Sequence, residues 1–126
     1  MKYIIASHGE LAKGYKNTLK LLANIDNVDI VCAYGFEAQD IITQFDNITQ
    51  NYDKDEEIYV FSDIFGGSVT QVAVKALENF NAHIIAGANL ALILEIVLSN
   101  CHLQKEELKN KIELAKNEIV YINEII

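Results

Sequence analysis

Residues 57–80 read EIYVFSDIFGGSVTQVAVKALENF. The opening residues 57–62 are apolar, β-branched and aromatic, the composition of a strand. Residues 68–80 then place Val69, Val72, Ala73, Ala76, Leu77 and Phe80 on one side of a helix. Between the two lies Asp63-Ile64-Phe65-Gly66-Gly67, a turn made from glycine rather than from a long loop. A strand that passes through a short turn into an amphipathic helix is one half of a βαβ unit, so a neighbouring parallel strand is required.

Working outward, the same alternation covers the chain. Downstream, residues 83–86 read as a strand ending at Gly87. Residues 89–99 read as a helix that is apolar nearly all round, suited to full burial or to a subunit interface. An amphipathic helix over 105–116 uses Leu108, Ile112 and Ala115, and residues 119–122 read as a last strand. Upstream, residues 2–6 form a short apolar strand. Residues 10–23 form a helix with Leu11, Tyr15, Leu19 and Leu22 on one face. A strand over 28–34 breaks at Gly35, and a helix over 37–50 carries Ala38, Ile41, Ile42, Phe45 and Ile48 as a stripe before a charged loop at 53–56. No proline occurs, so the turns fall to the six glycines and to Asn and Asp. The pattern predicts a single α/β domain over 1–126: a doubly wound, mostly parallel sheet in the order 2-1-3-4 with helices on both faces.

Composition narrows the function. Of 126 residues 51% are hydrophobic, enough to fill a core without disulfides or metal. The longest apolar run, residues 90–98, contains Glu95 and is too short to span a bilayer. No signal-peptide pattern opens the chain, and Cys32 and Cys101 form no framework, so a cytoplasmic setting with free thiols is expected. The formal charge is −8 and every cationic side chain is lysine. Both facts disfavour nucleic-acid binding, and the lack of arginine excludes an arginine finger of the chain's own.

In an open parallel sheet, ligands bind past the carboxyl ends of the strands where the strand order reverses. With order 2-1-3-4 that point lies between the first and third strands. Ser7-His8-Gly9 leaves the first, and Asp63 to Ser68 leaves the third. A neutral imidazole is a competent nucleophile toward phosphorus, and a carboxylate on its other nitrogen fixes the tautomer. His8 and Asp63 are therefore the expected catalytic pair. Gly66, Gly67 and Ser68 would cradle a phosphate, with the glycines allowing close approach, Ser68 as the helix cap and the helix N-terminus supplying N–H donors. Ser7, Gly9 and Asn89 are expected to line the site, although Asn89 is equally a helix cap. Gly35-Phe36-Glu37 and Gly87-Ala88-Asn89 also leave strands at this edge. His83 is expected at the opposite end of the sheet, His102 has no partner in view, and neither cysteine has the CxxC spacing of a zinc site. No metal or cofactor is expected.

The opening strand followed by Ser-His-Gly, the run from Phe61 to Ser68, and Ile84-Ile85-Ala86-Gly87-Ala88-Asn89-Leu90 with Glu95 beyond it resemble the IIA component of the mannose class of the bacterial sugar phosphotransferase system. The resemblance implies that His8 is the phosphorylated residue, that Asp63 hydrogen-bonds its ring and that Ser68 lies near the phosphoryl group. It further implies phosphorylated HPr as donor and a histidine of a IIB component as acceptor, with the membrane reached only through IIB, IIC and IID. It implies a homodimer in which a C-terminal antiparallel strand, here residues 119–122, crosses to the other subunit. Val69 stands where many members have proline, and Gln71 where some have asparagine. Other readings remain: the phosphocarrier subunit of a dihydroxyacetone kinase, a serine hydrolase built on Ser68, His8 and Asp63, or a regulatory module that senses phosphorylation. A receiver-like signalling domain would need clustered carboxylates where this chain has Ser-His-Gly.

Overall fold

The alternation read from the sequence is realised in the computed structural model of the protein, which describes residues 1–34 and 39–126. The chain forms two units, Met1–Ala88 and Asn89–Ile126. In the first, β1 (Lys2–His8), α1 (Leu11–Ala23), β2 (Val28–Ala33), α2 (Ile41–Thr49), β3 (Glu57–Ser62), α3 (Ser68–Ala76) and β4 (Asn81–Ile85) follow one another. The four strands form one sheet in the order β2-β1-β3-β4. Every pairing is parallel, with Ile5 opposite Ile30 and Phe61, and Val60 opposite Ile84.

This order decides where the helices go. The step from β1 to β2 and the step back over β1 to β3 run in opposite directions along the sheet. A constant right-handed crossover therefore places α1 on one face and α2 and α3 on the other. Packing follows that division: α1 lies on β1 and β2, while α2 and α3 lie against each other. On the α2/α3 face, Ile4, Ala6, Val31, Ala33, Ile58 and Val60 meet Ile41, Phe45, Val69, Ala73 and Leu77 in one buried cluster. Tyr3 and Ile5, which alternate with these along β1, are buried on the opposite face.

Local chemistry sets the element ends. The Asp40 carboxylate accepts the Thr43 N–H at 3.0 Å and so caps α2. These Thr43 contacts, from N–H and hydroxyl, hold the Asp40 carboxyl below its ordinary pKa. The helix starts at Ile41 rather than 37. Ala38 and the Gly35-Phe36-Glu37 segment lie outside the described residues. Two expected faces are corrected. In α1 the buried residues are Ala12 and Leu19, while Leu11 and Leu22 face solvent and Gly14 is an interior helical residue. In α2, Ile42 is exposed while Ile41 and Phe45 are buried. The spacing of Leu11 and Leu22 does not define the buried face; Ala12 and Leu19, both fully buried, do.

In the second unit, α4 (Leu90–Ser99) and α5 (Lys105–Lys116) pack together, followed by a short 3-10 helix at Ile122–Glu124. The Asn89 carboxamide oxygen accepts the Leu92 N–H at 2.9 Å and caps α4. Leu92, Ile93, Ile96 and Val97 are buried, whereas Leu98 is exposed. Glu95 pairs with Lys111 at 2.8 Å. Among the described residues the segment expected as a last strand, 119–122, enters no sheet: Ile119, Val120, Tyr121 and Ile122 are exposed. Residues 119–121 have no regular structure, and Ile122 opens the 3-10 helix. No described helix is long and apolar enough to cross a membrane.

Candidate functional site

His8 is the last residue of β1 and is paired with Ala33 at the end of β2. Gly9 follows with φ +58°, a left-handed conformation that glycine enters without steric cost, and its N–H donates to Ala33 O at 2.7 Å. This turns the chain sharply away and leaves the imidazole at the carboxyl edge of the sheet. Ser7 points to the α1 face, where it is fully buried and its hydroxyl accepts the Ala12 N–H at 2.7 Å. It anchors the start of α1 and does not line the site.

Asp63 is the first residue beyond β3, next to β1. One carboxylate oxygen accepts both the His8 backbone N–H at 2.8 Å and the ring Nδ1–H at 2.9 Å. The other accepts the Ile64 N–H at 3.0 Å. Burial by itself pushes the Asp63 carboxyl up, but the two hydrogen bonds and the charge interaction from His8 outweigh it and hold the group below its ordinary pKa. An ionised carboxylate can only accept, so the proton in the ring contact belongs to Nδ1. In the neutral ring the lone pair is therefore on Nε2, which makes no hydrogen bond among the described residues. The His8 side chain is 38% exposed, so that lone pair is accessible.

The segment between Asp63 and α3 is held as a rigid turn. Gly66 has φ +85°, again left-handed. Thr70 donates its only hydroxyl proton to Ile64 O at 2.9 Å, so in its 2.7 Å contact with Ser62 it accepts. Ser62 is buried at the end of β3, and this chain of hydroxyls ties the strand, the turn and the helix together. Gly67 is the N-cap of α3, and a methyl group on it would stand 3.1 Å from Cε1 of His8. The start of α3 is thus packed against the imidazole edge. The first intrahelical bond is Gln71 N–H to Gly67 O, which leaves the N–H groups of Ser68, Val69 and Thr70 without helical partners. Ser68 is the first helical residue and not the cap, because the extended residue that precedes the helix is Gly67. Its hydroxyl contacts the Tyr34 hydroxyl at 3.0 Å.

Four expected residues, His8, Asp63, Gly67 and Ser68, are thus brought together, with Gly66 shaping the turn. Asn89 belongs to the second unit, where its side chain caps α4 and donates to Ala115 O at 2.8 Å. Two contributors were not singled out from the sequence. Thr70 belongs to no motif in the sequence, yet its hydroxyl ties the turn to the strand. Tyr34 looked like the end of a strand, yet its ring lies 5.9 Å from that of His8. It also borders a groove of about 410 Å³ lined by Gln39, Asp40, Ile41, Ile42 and Val72, none of which is hydrogen-bonded to His8 or Asp63. His83 lies within β4, stacked on Tyr59 at 4.8 Å and 3.5 Å from Glu57. Cys32 is half-buried in β2, and burial raises its thiol pKa. Among the described residues no cluster of His, Cys, Asp or Glu could hold a metal ion.

Chemically the arrangement offers an oriented imidazole with one free nitrogen, a carboxylate behind it, and unpaired N–H groups with a hydroxyl beside it. Such a site can accept a tetrahedral anion on nitrogen.

The chain matches the family described as the PTS system fructose IIA component over residues 2–113, a span that enters both units. Among solved structures it is similar to a Klebsiella pneumoniae protein described as a phosphoenolpyruvate-dependent sugar phosphotransferase system (PTS) permease. That pair has 31% identity and a TM-score of 0.84, covering 97% of this chain and 90% of that one. It shares its fold with the PTS IIA protein associated with the fucose utilization operon of Streptococcus pneumoniae, at 23% identity and TM-score 0.75, covering 98% and 93% of the two chains. The mannose/sorbose-specific IIA subunit of Enterococcus faecalis also has this fold, at 19% identity and TM-score 0.76, with 94% and 92% covered.

Proposed function

The chain belongs to the PTS system fructose IIA component family, and from that membership we propose that it is a cytoplasmic phosphoryl carrier that takes its phosphoryl group on His8. The observation that carries the reading is the Nδ1–H of His8 held at 2.9 Å by an ionised Asp63, with Nε2 free. Phosphorylated HPr is the donor, a histidine of a IIB component is the acceptor, and sugar uptake is the outcome. The chain acts as one carrier domain, associated with the membrane only through its partners.

The Nε2 lone pair forms the new N–P bond in line as the donor's N–P bond breaks, and the donor imidazole leaves with its electron pair. The His8 ring keeps its Nδ1–H and becomes cationic, facing the Asp63 carboxylate. The N–H groups at the start of α3 and the Ser68 hydroxyl bind the equatorial oxygens. Transfer between two histidines is close to balanced, so positioning and charge stabilisation supply most of the rate. The apolar segment 119–126, with Ile119 81% and Ile126 93% exposed, is covered in a homodimer by exchange of residues 119–122 as an antiparallel strand. A hydrolase reading is disfavoured, since Ser68 Oγ is engaged by Tyr34 and makes no bond to His8 among the described residues.

Incubation with phosphorylated HPr is expected to place an acid-labile phosphoryl group on the chain, and addition of a IIB protein to remove it. Label that stays on the chain would leave only a regulatory module. Absence of label would overturn the reading. Gly67→Ala is a finer test. Its methyl would press on His8 Cε1 at 3.1 Å and on Ile64 at 3.3 Å, so the ring must shift by a few tenths of an ångström. Transfer is expected to slow by about tenfold with the melting temperature nearly unchanged, as measured by quench-flow and calorimetry.

A further inference from the structure

Tyr34 stands in an unusual conformation for its residue type. Its φ is +59°, and it is not a glycine. A left-handed backbone costs an L-residue on the order of 1–2 kcal/mol, so something must be gained by holding it. Core packing is not the gain, because Tyr34 is 71% exposed. In this conformation the ring sits beside the end of β1. There it lies 5.9 Å from the His8 imidazole, tilted by 33°. The hydroxyl reaches Ser68 Oγ at 3.0 Å, at the start of the helix whose N-cap glycine leaves no room for a side chain beside His8 Cε1.

Resting on the reading of His8 as the phosphoryl acceptor, we propose that Tyr34 is a phosphoryl-binding residue, whose phenol O–H donates to an oxygen of the group carried on Nε2. The hydroxyls of Tyr34 and Ser68 satisfy each other, and only one of their two protons is used in that contact. An anionic oxygen arriving between them lets both turn and donate. One neutral hydrogen bond is exchanged for two charge-assisted ones, which are roughly twice as strong each. The gain matters here because the chain contains no arginine, and among the described residues Asp63 is paired with His8 and with no lysine. Neutral donors must do in this site what a cation does elsewhere. The ring itself covers one side of the imidazole and limits access of water to the N–P bond.

The test compares wild-type protein, Tyr34→Phe and Tyr34→Leu after phosphorylation by purified phosphorylated HPr. Three quantities are read: the rate of labelling, the 31P chemical shift of the phosphohistidine, and its hydrolysis half-life at neutral pH. Tyr34→Phe keeps the ring and loses only the donor. It is expected to be labelled on His8 about tenfold more slowly, with a displaced 31P resonance. Tyr34→Leu is expected to shorten the half-life further by uncovering the imidazole. A purely structural role for the hydroxyl would leave the 31P shift in place. Wild-type protein that is labelled normally, beside a Tyr34→Phe variant with the same rate and the same 31P shift, overturns this proposal alone. Wild-type protein that takes no label overturns the reading of His8 and this proposal with it.

Discussion

His8→Ala is expected to reduce labelling by phosphorylated HPr to background, a loss of at least about 10⁴-fold. Among the described residues no second nucleophile stands in the site: the Ser68 hydroxyl has no general base there, and its contact is with Tyr34. The fold survives the substitution. The backbone N–H of residue 8 still donates to Asp63, the strand pairing of β1 is a main-chain matter, and the lost imidazole is partly solvent-exposed. Melting and labelling should therefore separate cleanly, with stability changed by no more than about 1–2 kcal/mol. Retention of acid-labile phosphate on the variant would transfer the role to another residue.

Asp63→Ala has the second largest expected effect, a fall of about 10³-fold in the transfer rate, or about 4 kcal/mol of transition-state stabilisation. The carboxylate does two jobs through one oxygen. It fixes the Nδ1–H tautomer and satisfies the His8 N–H, while its other oxygen holds Ile64. Alanine removes all three contacts. Asparagine is a more discriminating substitution. Its single oxygen can serve either the His8 pair or the Ile64 N–H, and in either orientation its amide group opposes another donor. Its neutral side chain also provides no charge to face the cationic ring. Asp63→Asn is expected to lose about 10²-fold, with affinity for phosphorylated HPr unchanged in a titration. Equal rates for wild type and Asp63→Asn would remove the carboxylate from the mechanism.

The strand order and the meeting of His8 with Asp63 were both legible in the sequence, for one reason. Residues 57–80 switch from strand to helix across a glycine turn, and the repeat of that pattern leaves few ways to wind a parallel sheet. Once the order is 2-1-3-4, the residues that leave β1 and β3 must share an edge. What was not legible depends on contacts between segments. Nothing in the sequence marks Tyr34 as left-handed or places its ring beside His8. Ser7 looked like a site residue from its neighbour His8. The alternation of a strand sends it to the opposite face, where α1 needs its hydroxyl. Ser68 and Gly67 exchanged roles because the helix begins one residue earlier than a serine cap would place it. Residues 119–122 have the composition of a strand, but composition alone supplies no neighbour to pair with.

Which nitrogen of His8 is free decides where the phosphoryl group goes. The most direct measurement is 15N and 31P NMR of protein labelled with 15N-histidine and phosphorylated by phosphorylated HPr. The predicted result is phosphorus coupled to Nε2 of His8, with a proton retained on Nδ1 in a hydrogen bond that Asp63→Ala abolishes. Phosphorus on Nδ1, or on a residue other than His8, would contradict it.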